Sequence, residues 1–276
     1  MISASPFLRC YRQPEIGTPP CVVPCTNDRR AFSEGLRIQP LIGVPNDESR
    51  SGHPSDLAQL ADSDREVKID GLLRATRHRS RRLMFAVCEL LTDRSPEVRM
   101  RAAEALARLV PHGSAPLALV SALEDPDVLV RTAAAESLGD IGDLRTRTAL
   151  RSALNDRSSW IRRNAAESIG SMKNRRDVAI LRKRINVERS SSAKLGLYAG
   201  LYCLGDRGML EFMLKGLASR QYRVRCATAN MLAHVISRPD DRAVAIEALR
   251  DALQRESTVA ARSSMQRGLV DLKKRT

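Results

Sequence analysis

Six basic residues recur along this chain at a nearly constant interval: Lys68, Arg99, Arg131, Arg162, Lys194 and Arg225 are separated by 31, 32, 31, 32 and 31 residues. A period of this size constrains the fold more than composition does. Units so short cannot enclose a core of their own, so they bury apolar surface against their neighbours and stack into a solenoid. Other positions keep the same phase. Val67, Val98, Val130, Ile161 and Val224 directly precede the basic residue, and the pairs Ala102 and Ala103, Ala134 and Ala135, and Ala165 and Ala166 follow it by three and four positions. Leu106, Leu138, Ile169, Leu201 and Leu232 follow it by seven. These offsets share one helical face, and the small Ala pairs let a neighbouring helix approach closely.

A second apolar segment precedes each of these, ending at Leu91, Leu123, Leu154, Ile185, Leu217 and Leu253, with polar turns between the two. Pro96 and Pro126 fall in those turns, where proline fixes φ without damaging a helix interior. Gly139, Gly142, Gly170 and Gly205 are expected to end the second helices. The pattern predicts an all-α, right-handed α-solenoid of about seven antiparallel helix pairs over residues 55–276, closed by a degenerate capping unit. Residues 1–54 hold eight of the 13 prolines and lack helical periodicity, so a disordered tail is expected there.

The strings Asp93-Arg-Ser-Pro-Glu-Val-Arg-Met-Arg-Ala-Ala-Glu-Ala-Leu106 and Asp125-Pro-Asp-Val-Leu-Val-Arg-Thr-Ala-Ala-Ala-Glu-Ser-Leu-Gly139 resemble HEAT repeats, in particular the short variety of phycobilin lyases. The resemblance implies the solenoid fold and leaves the activity open, because one repeat type serves adaptors, lyase subunits, hydroxylases and nucleic-acid enzymes. Residues 188–204 depart from the pattern, with Leu197 and Tyr198 in place of the Ala pair. Deoxyhypusine hydroxylases of this kind hold two irons with His-Glu pairs on successive second helices. Here the corresponding dipeptides are Ala103-Glu104, Ala135-Glu136, Ala166-Glu167, Tyr198-Ala199 and Ala229-Asn230, while His53, His78, His112 and His234 share no phase. Neither a metal nor another cofactor is expected. Alkylpurine DNA glycosylases of similar architecture surround a damaged nucleotide with aromatic residues, yet this chain has a single tryptophan, Trp160, read as a lid over the inter-helix core. No phosphate-binding glycine loop or nucleophile elbow occurs. The chain therefore reads as non-enzymatic, with a phycobilin-lyase-like subunit as the enzymatic alternative.

Charge is the compositional feature that asks for a partner. The net charge is +14, of which the tail contributes +1, so the repeats form a strongly basic body. Each ladder residue follows a turn acid such as Asp93, Asp125 or Asp156, and the resemblance implies ion pairs between neighbouring units there. Two further groups, Arg74, Arg77, Arg79, Arg81 and Arg82, and Lys173, Arg175, Arg176, Arg182, Lys183 and Arg184, are candidates for binding a nucleic-acid phosphate backbone without sequence preference. The leading expectation is a scaffold or adaptor whose concave stack of second helices meets a protein partner, acidic in character, through Arg101, Glu104, Arg108, Glu136, Arg163, Glu167 and Asn230. Glu104, Glu136 and Glu167 stack in register and are read as solvent-facing helix formers paired with nearby arginines. Cys88, Cys203 and Cys226 occupy apolar helical positions, and Cys10, Cys21 and Cys25 lack a nearby His. No apolar run is long enough to span a membrane, and the segment from Met1 to Leu8 is too short and polar for a secretion signal, so a cytoplasmic location is expected.

Overall fold

The computed structural model describes residues 54–77, 81–109 and 115–274, and among them the helices α1 to α14 follow one another with no strand. The expected tail with Cys10, Cys21, Cys25 and His53 lies outside the described residues, as do His78, Arg79, His112, Arg275 and the side chain of Arg81. The first pairs are α1 (Pro54–Leu60) with α2 (Arg65–Ala75), α3 (Arg81–Glu89) with α4 (Pro96–Leu109), and α5 (Ala115–Ala122) with α6 (Val128–Ile141). Next come α7 (Arg147–Ala153) with α8 (Ser159–Ser171), and α9 (Val178–Val187) with α10 (Ser191–Cys203). The last are α11 (Met209–Leu214) with α12 (Tyr222–Val235), and α13 (Pro239–Arg255) with α14 (Val259–Lys273). The even-numbered members are the second helices, and they pack in a continuous row.

Local chemistry sets the helix ends. Asp64, Asp127, Ser158 and Ser190 accept hydrogen bonds from the otherwise unpaired first N–H groups of α2, α6, α8 and α10, each such cap being worth about 1 kcal/mol. Pro96 and Pro239 open α4 and α13, where the missing N–H costs nothing. Gly142 caps α6 with φ 69°, and Gly205 follows α10 with φ 103°. Gly139 and Gly170 correct the expectation, because both lie inside their helices at contacts with the next unit. A Cβ on Gly170 would overlap Gly200, and a Cβ on Gly196 or Gly200 would overlap the backbone of α8 at Arg163 or Ala166. The close approach that an Ala pair provides elsewhere is made here by Gly196 and Gly200, which frees Leu197 to enter the core and Tyr198 to pack against Phe212 at 5.3 Å.

The apolar phase is buried as its offsets require. Val98, Val130, Ile161, Leu106, Leu138, Ile169, Leu201 and Leu232 are fully enclosed, and each large aliphatic side chain of this kind stabilises the fold by about 1.5–3 kcal/mol.

The basic ladder joins the turns of successive units. Lys68 Nζ meets Asp93 Oδ2 at 2.6 Å. Arg99 holds Asp125 through Nε and Nη2 at 2.7 and 2.9 Å, and Arg162 holds Glu188 in the same way at 2.8 and 2.9 Å. Arg131 pairs with Asp156 at 3.0 Å, and Arg225 with Glu256 at 2.5 and 2.8 Å. The same guanidinium groups donate Nη1 to the carbonyls of their own turns, at Asp93, Asp125, Asp156 and Ser219, over 2.7–2.9 Å. Each acid in turn accepts the backbone N–H two residues on, at Ser95, Asp127, Ser158, Ser190 and Thr258. Each arginine rung thus satisfies one turn's carbonyls and the next turn's amides with one charge pair.

Lys194 breaks the ladder. Ser219 stands where the acid would be, and no carboxylate of a described residue pairs with Lys194. A different contact lies nearby: Asp241 of α13 accepts from Tyr202 Oη of α10 at 2.7 Å and from Arg207 Nη2 in the turn after α10 at 2.6 Å. The continuous apolar cluster that starts at Leu60 also ends here, at Leu204.

Ser219→Asp should complete the missing rung and stabilise the chain by about 1 kcal/mol, raising the melting temperature by about 2–4 °C. An unchanged melting temperature would show that Lys194 cannot reach the new carboxylate. The hydrogen bonds of Arg162 hold the Glu188 carboxyl down at about 2, and those of Arg225 do the same for Glu256. Because these folded-state values lie below the ordinary one of about 4.3, the stabilisation is complete above that pH and is lost as pH falls toward 2. Thermal melts should therefore drop across that window. Glu188→Gln should lower stability at neutral pH and flatten part of the acid decline.

Candidate functional site

Positions five and nine residues after the ladder residue lie one turn apart on the same face of each second helix. The first set is Glu104, Glu136, Glu167, Ala199 and Asn230, and the second is Arg108, Asp140, Ser171, Cys203 and His234. Together they form one row across the second helices, on the face expected to be the inner one. Parallel neighbours flank each second helix on both sides, so side chains between the rows lose contact with water. The expectation of solvent-facing glutamates is corrected accordingly. Glu167 is 9% exposed, Asn230 6% and Arg163 1%, whereas Arg101, Glu104, Arg108 and Glu136 are half-buried. Asp140, Ser171, Lys173 and His234 stay exposed and form a rim over that floor.

Side-chain hydrogen bonds set the register of this face. Ser137 Oγ donates to the carbonyl of Ala103 at 2.8 Å, Ser168 Oγ to that of Ala135 at 2.8 Å, and Ser171 Oγ to that of Gly139 at 3.2 Å. Asn164 Nδ2 donates to Glu136 Oε1 at 3.0 Å, and Arg101 pairs with Glu104 at 3.1 Å, as its helical spacing predicts. Trp160 sits in the first turn of α8 with the Arg163 guanidinium 4.3 Å from its ring centre, a cation–π contact that fixes the arginine.

Burial pushes the Glu167 carboxyl above the ordinary range, while the charges of His234 and Arg163 pull it back. Asp140 is exposed at its tip, but the protein around it also pushes its carboxyl up, opposed by His234 and Arg108. His234 belongs to α12 and Asp140 to α6, so the field of one rim residue reaches across several units. Burial likewise lifts the thiols of Cys88 and Cys203 to about 11, which leaves them protonated and poorly nucleophilic at neutral pH.

The two basic groups remain apart, one at the turn between α2 and α3 and the other around α9. Arg74 pairs with Asp70 at 2.9 Å, and Arg77 and Arg82 are exposed. Arg184 is structural: it donates to the Leu154 carbonyl at 2.8 Å and pairs with Glu188 at 3.0 Å. Arg182 pairs with Asp206 at 2.9 Å. Asp177, the acid that stands within this group in sequence, is buried and held by Arg147 and Arg151 of the preceding unit. Arg175, Arg176 and Lys183 are left exposed, pairing with no described carboxylate, and Lys173 occupies the left-handed region at φ 54°.

Sequence reasoning missed Asp140, Asn164 and His234 as members of the inner face. The offset of nine residues would have found Asp140 and His234; Asn164 carries no such signal. Among the described residues no three His, Cys, Asp or Glu side chains gather into a group that could hold a metal ion, and no helix is long and apolar enough to cross a membrane.

Residues 115–201 match the family model of HEAT repeats, and residues 86–113 match that of the HEAT repeat. No curated protein matches the chain in sequence. The solved complex of CpcE and CpcF of phycocyanin lyase from Nostoc sp. PCC7120 is similar at 18% identity and a TM-score of 0.57, over 87% of this chain and 100% of that one. Human deoxyhypusine hydroxylase in complex with glycerol matches at 17% identity and a TM-score of 0.35, over 80% of this chain and 95% of that one. The archaeal HEAT-like repeats protein from Thermococcus onnurineus NA1 matches at 15% identity and 0.38, over 80% and 96%. At such identities the likeness to the lyase complex is one of fold. The matches over residues 86–113 and 115–201 show that this part of the chain is built of HEAT repeats, within a row of helix pairs that continues on both sides of it.

Proposed function

We propose that the chain is a non-enzymatic scaffold that holds a protein partner along the inner face of its second helices. The observation that carries this reading is the polar row from Glu104 through Glu136 and Glu167 to Asn230. Burying charged and amide groups is costly unless they are bonded, and a helix that only had to stack would place a small apolar residue there, as α10 does with Ala199. The row mixes both signs, with Arg101, Arg108 and Arg163 among Glu104, Glu136, Asp140 and Glu167. That mixture suits a protein segment bearing several kinds of polar group better than a uniform polyanion. Affinity in such a groove accumulates from many small contacts around a few anchors. The raised Cys88 and Cys203 thiols fit a binding role better than a nucleophilic one.

A second reading, sequence-independent binding of a nucleic-acid backbone, draws on Arg175, Arg176 and Lys183, which are exposed and pair with no described carboxylate. Each phosphate contact of this kind steepens the salt dependence of binding.

The double variant Arg101→Glu with Arg108→Glu should keep its helical circular dichroism and lose partner capture from an extract of the source organism by at least about tenfold. Undiminished capture would remove the inner face from consideration. For the second reading, the triple alanine variant at Arg175, Arg176 and Lys183 should make the dependence of log K on log salt shallower by about 2–3 with random duplex DNA. Absence of duplex binding at low salt would dismiss it.

A further inference from the structure

We infer that Glu167 and Asp140 together form an acceptor site for a cationic side chain, a lysine or an arginine, carried by the segment held on the inner face. The inference rests on the scaffold reading and names the chemistry of its partner. Glu167 differs from the other glutamates of its row and from the ladder acids. The ladder acids are all bonded, Glu104 is paired by Arg101, and Glu136 accepts from Asn164. Glu167 is nine-tenths buried, yet no described side chain gives it a hydrogen bond or an ion pair. Asp140 is likewise without an ion pair among the described residues.

The register places the two carboxyls together. Asn164 meets Glu136, Ser168 meets Ala135, and Ser171 meets Gly139. Those three bonds bracket Glu167 against the stretch of α6 from Glu136 to Asp140, with Glu167 on the floor and Asp140 on the rim above it. The nearest cations do not close the gap. Arg163 lies over Trp160 with its Nε directed to Asn164 at 3.3 Å, and Arg101 is taken by Glu104. Arg108 and His234 act on Asp140 through space. Burial disfavours the charged form of such a carboxyl, and an incoming ammonium or guanidinium that bonds to it favours that form again. The fork of an arginine can address two acceptors at once. The site would also be selective, because a chain of net charge +14 repels cationic peptides everywhere else.

The test uses the full chain and a fluorescent peptide alternating arginine and serine, with a peptide alternating glutamate and serine beside it, read by anisotropy. The arginine peptide should bind. Glu167→Gln and Asp140→Asn, which keep side-chain volume, should each weaken it at least about fivefold with unchanged helical content. Asp143→Asn, which removes an outer-turn acid already paired with Arg145, should leave binding as it was. Failure of the arginine peptide to bind, binding that Glu167→Gln leaves intact, or equal loss with Asp143→Asn would each overturn the site. If the arginine peptide fails while the Arg101→Glu, Arg108→Glu variant still loses its partner, the cation site falls and the scaffold reading stands. If the peptide behaves as expected while that variant captures its partner normally, the site stands and the wider reading of the face falls.

Discussion

The rung formed by one arginine and the acid of the next turn is the interaction on which the rest of this structure depends. Its guanidinium answers two needs at once, the carbonyls left over in its own turn and the carboxylate of the next, while that carboxylate caps the amides that follow it. Arginine does this because its donors diverge in a rigid plane; a lysine ammonium offers a point charge. Lys68 accordingly reaches Asp93 alone, at the first rung. Arg131 is 4% exposed, and a buried pair of that kind destabilises by about 3–5 kcal/mol when one partner is removed. The rungs therefore hold the units at a fixed phase as well as at a fixed distance.

Phase is what makes an inner face possible. Once each second helix is locked to its neighbour by the turn, residues five and nine positions further on must align from unit to unit. Short serine bonds to the preceding helix then tighten the alignment without adding bulk. At α8 and α10 the glycines bring backbones into contact, so the floor there is deep and Glu167 and Arg163 sink below the surface. At the α10 to α12 junction the ladder has no acid, while a tyrosine of α10 and an exposed arginine after it reach past that unit to an aspartate of α13. A solenoid stitched by two different devices has two blocks whose coupling differs from the coupling within each.

Much of this was legible because a period makes one residue's environment predict another's. The helix pairs, the apolar phase and the ladder from Lys68 to Arg162 follow from spacing, since the partner acid recurs at the same offset. The failures have a common cause: spacing tells which face a residue occupies and not which neighbour claims it. Arg184 looked like part of a phosphate-binding group and is consumed by Leu154 and Glu188, while Asp177 is held by arginines from the unit before. Gly139 and Gly170 looked like helix ends because glycine commonly serves that purpose, but they occupy contacts where a methyl group has no room. Glu167 looked solvated because its helical spacing matched that of Glu104; only the packing of α6, α8 and α10 decides its burial. Lys194 kept the period of the ladder while its partner position had drifted to Ser219, a change visible only when both ends of the rung are considered together.

The distribution of charge joins these points. A body of net charge +14 that spent its arginines evenly would be basic on every face. Here five of the six ladder cations are neutralised inside the turns, so the surplus sits on outer residues such as Arg175, Arg176 and Lys183, while the inner row mixes carboxylates with arginines. The outer field attracts anions from a distance, whereas the inner row, with both signs close together, presents a field that changes from residue to residue. A partner fitted to both would be acidic over most of its surface and would present a cationic segment to the groove. Long-range attraction would then govern how fast the two meet, and the buried carboxyl would govern which segment stays.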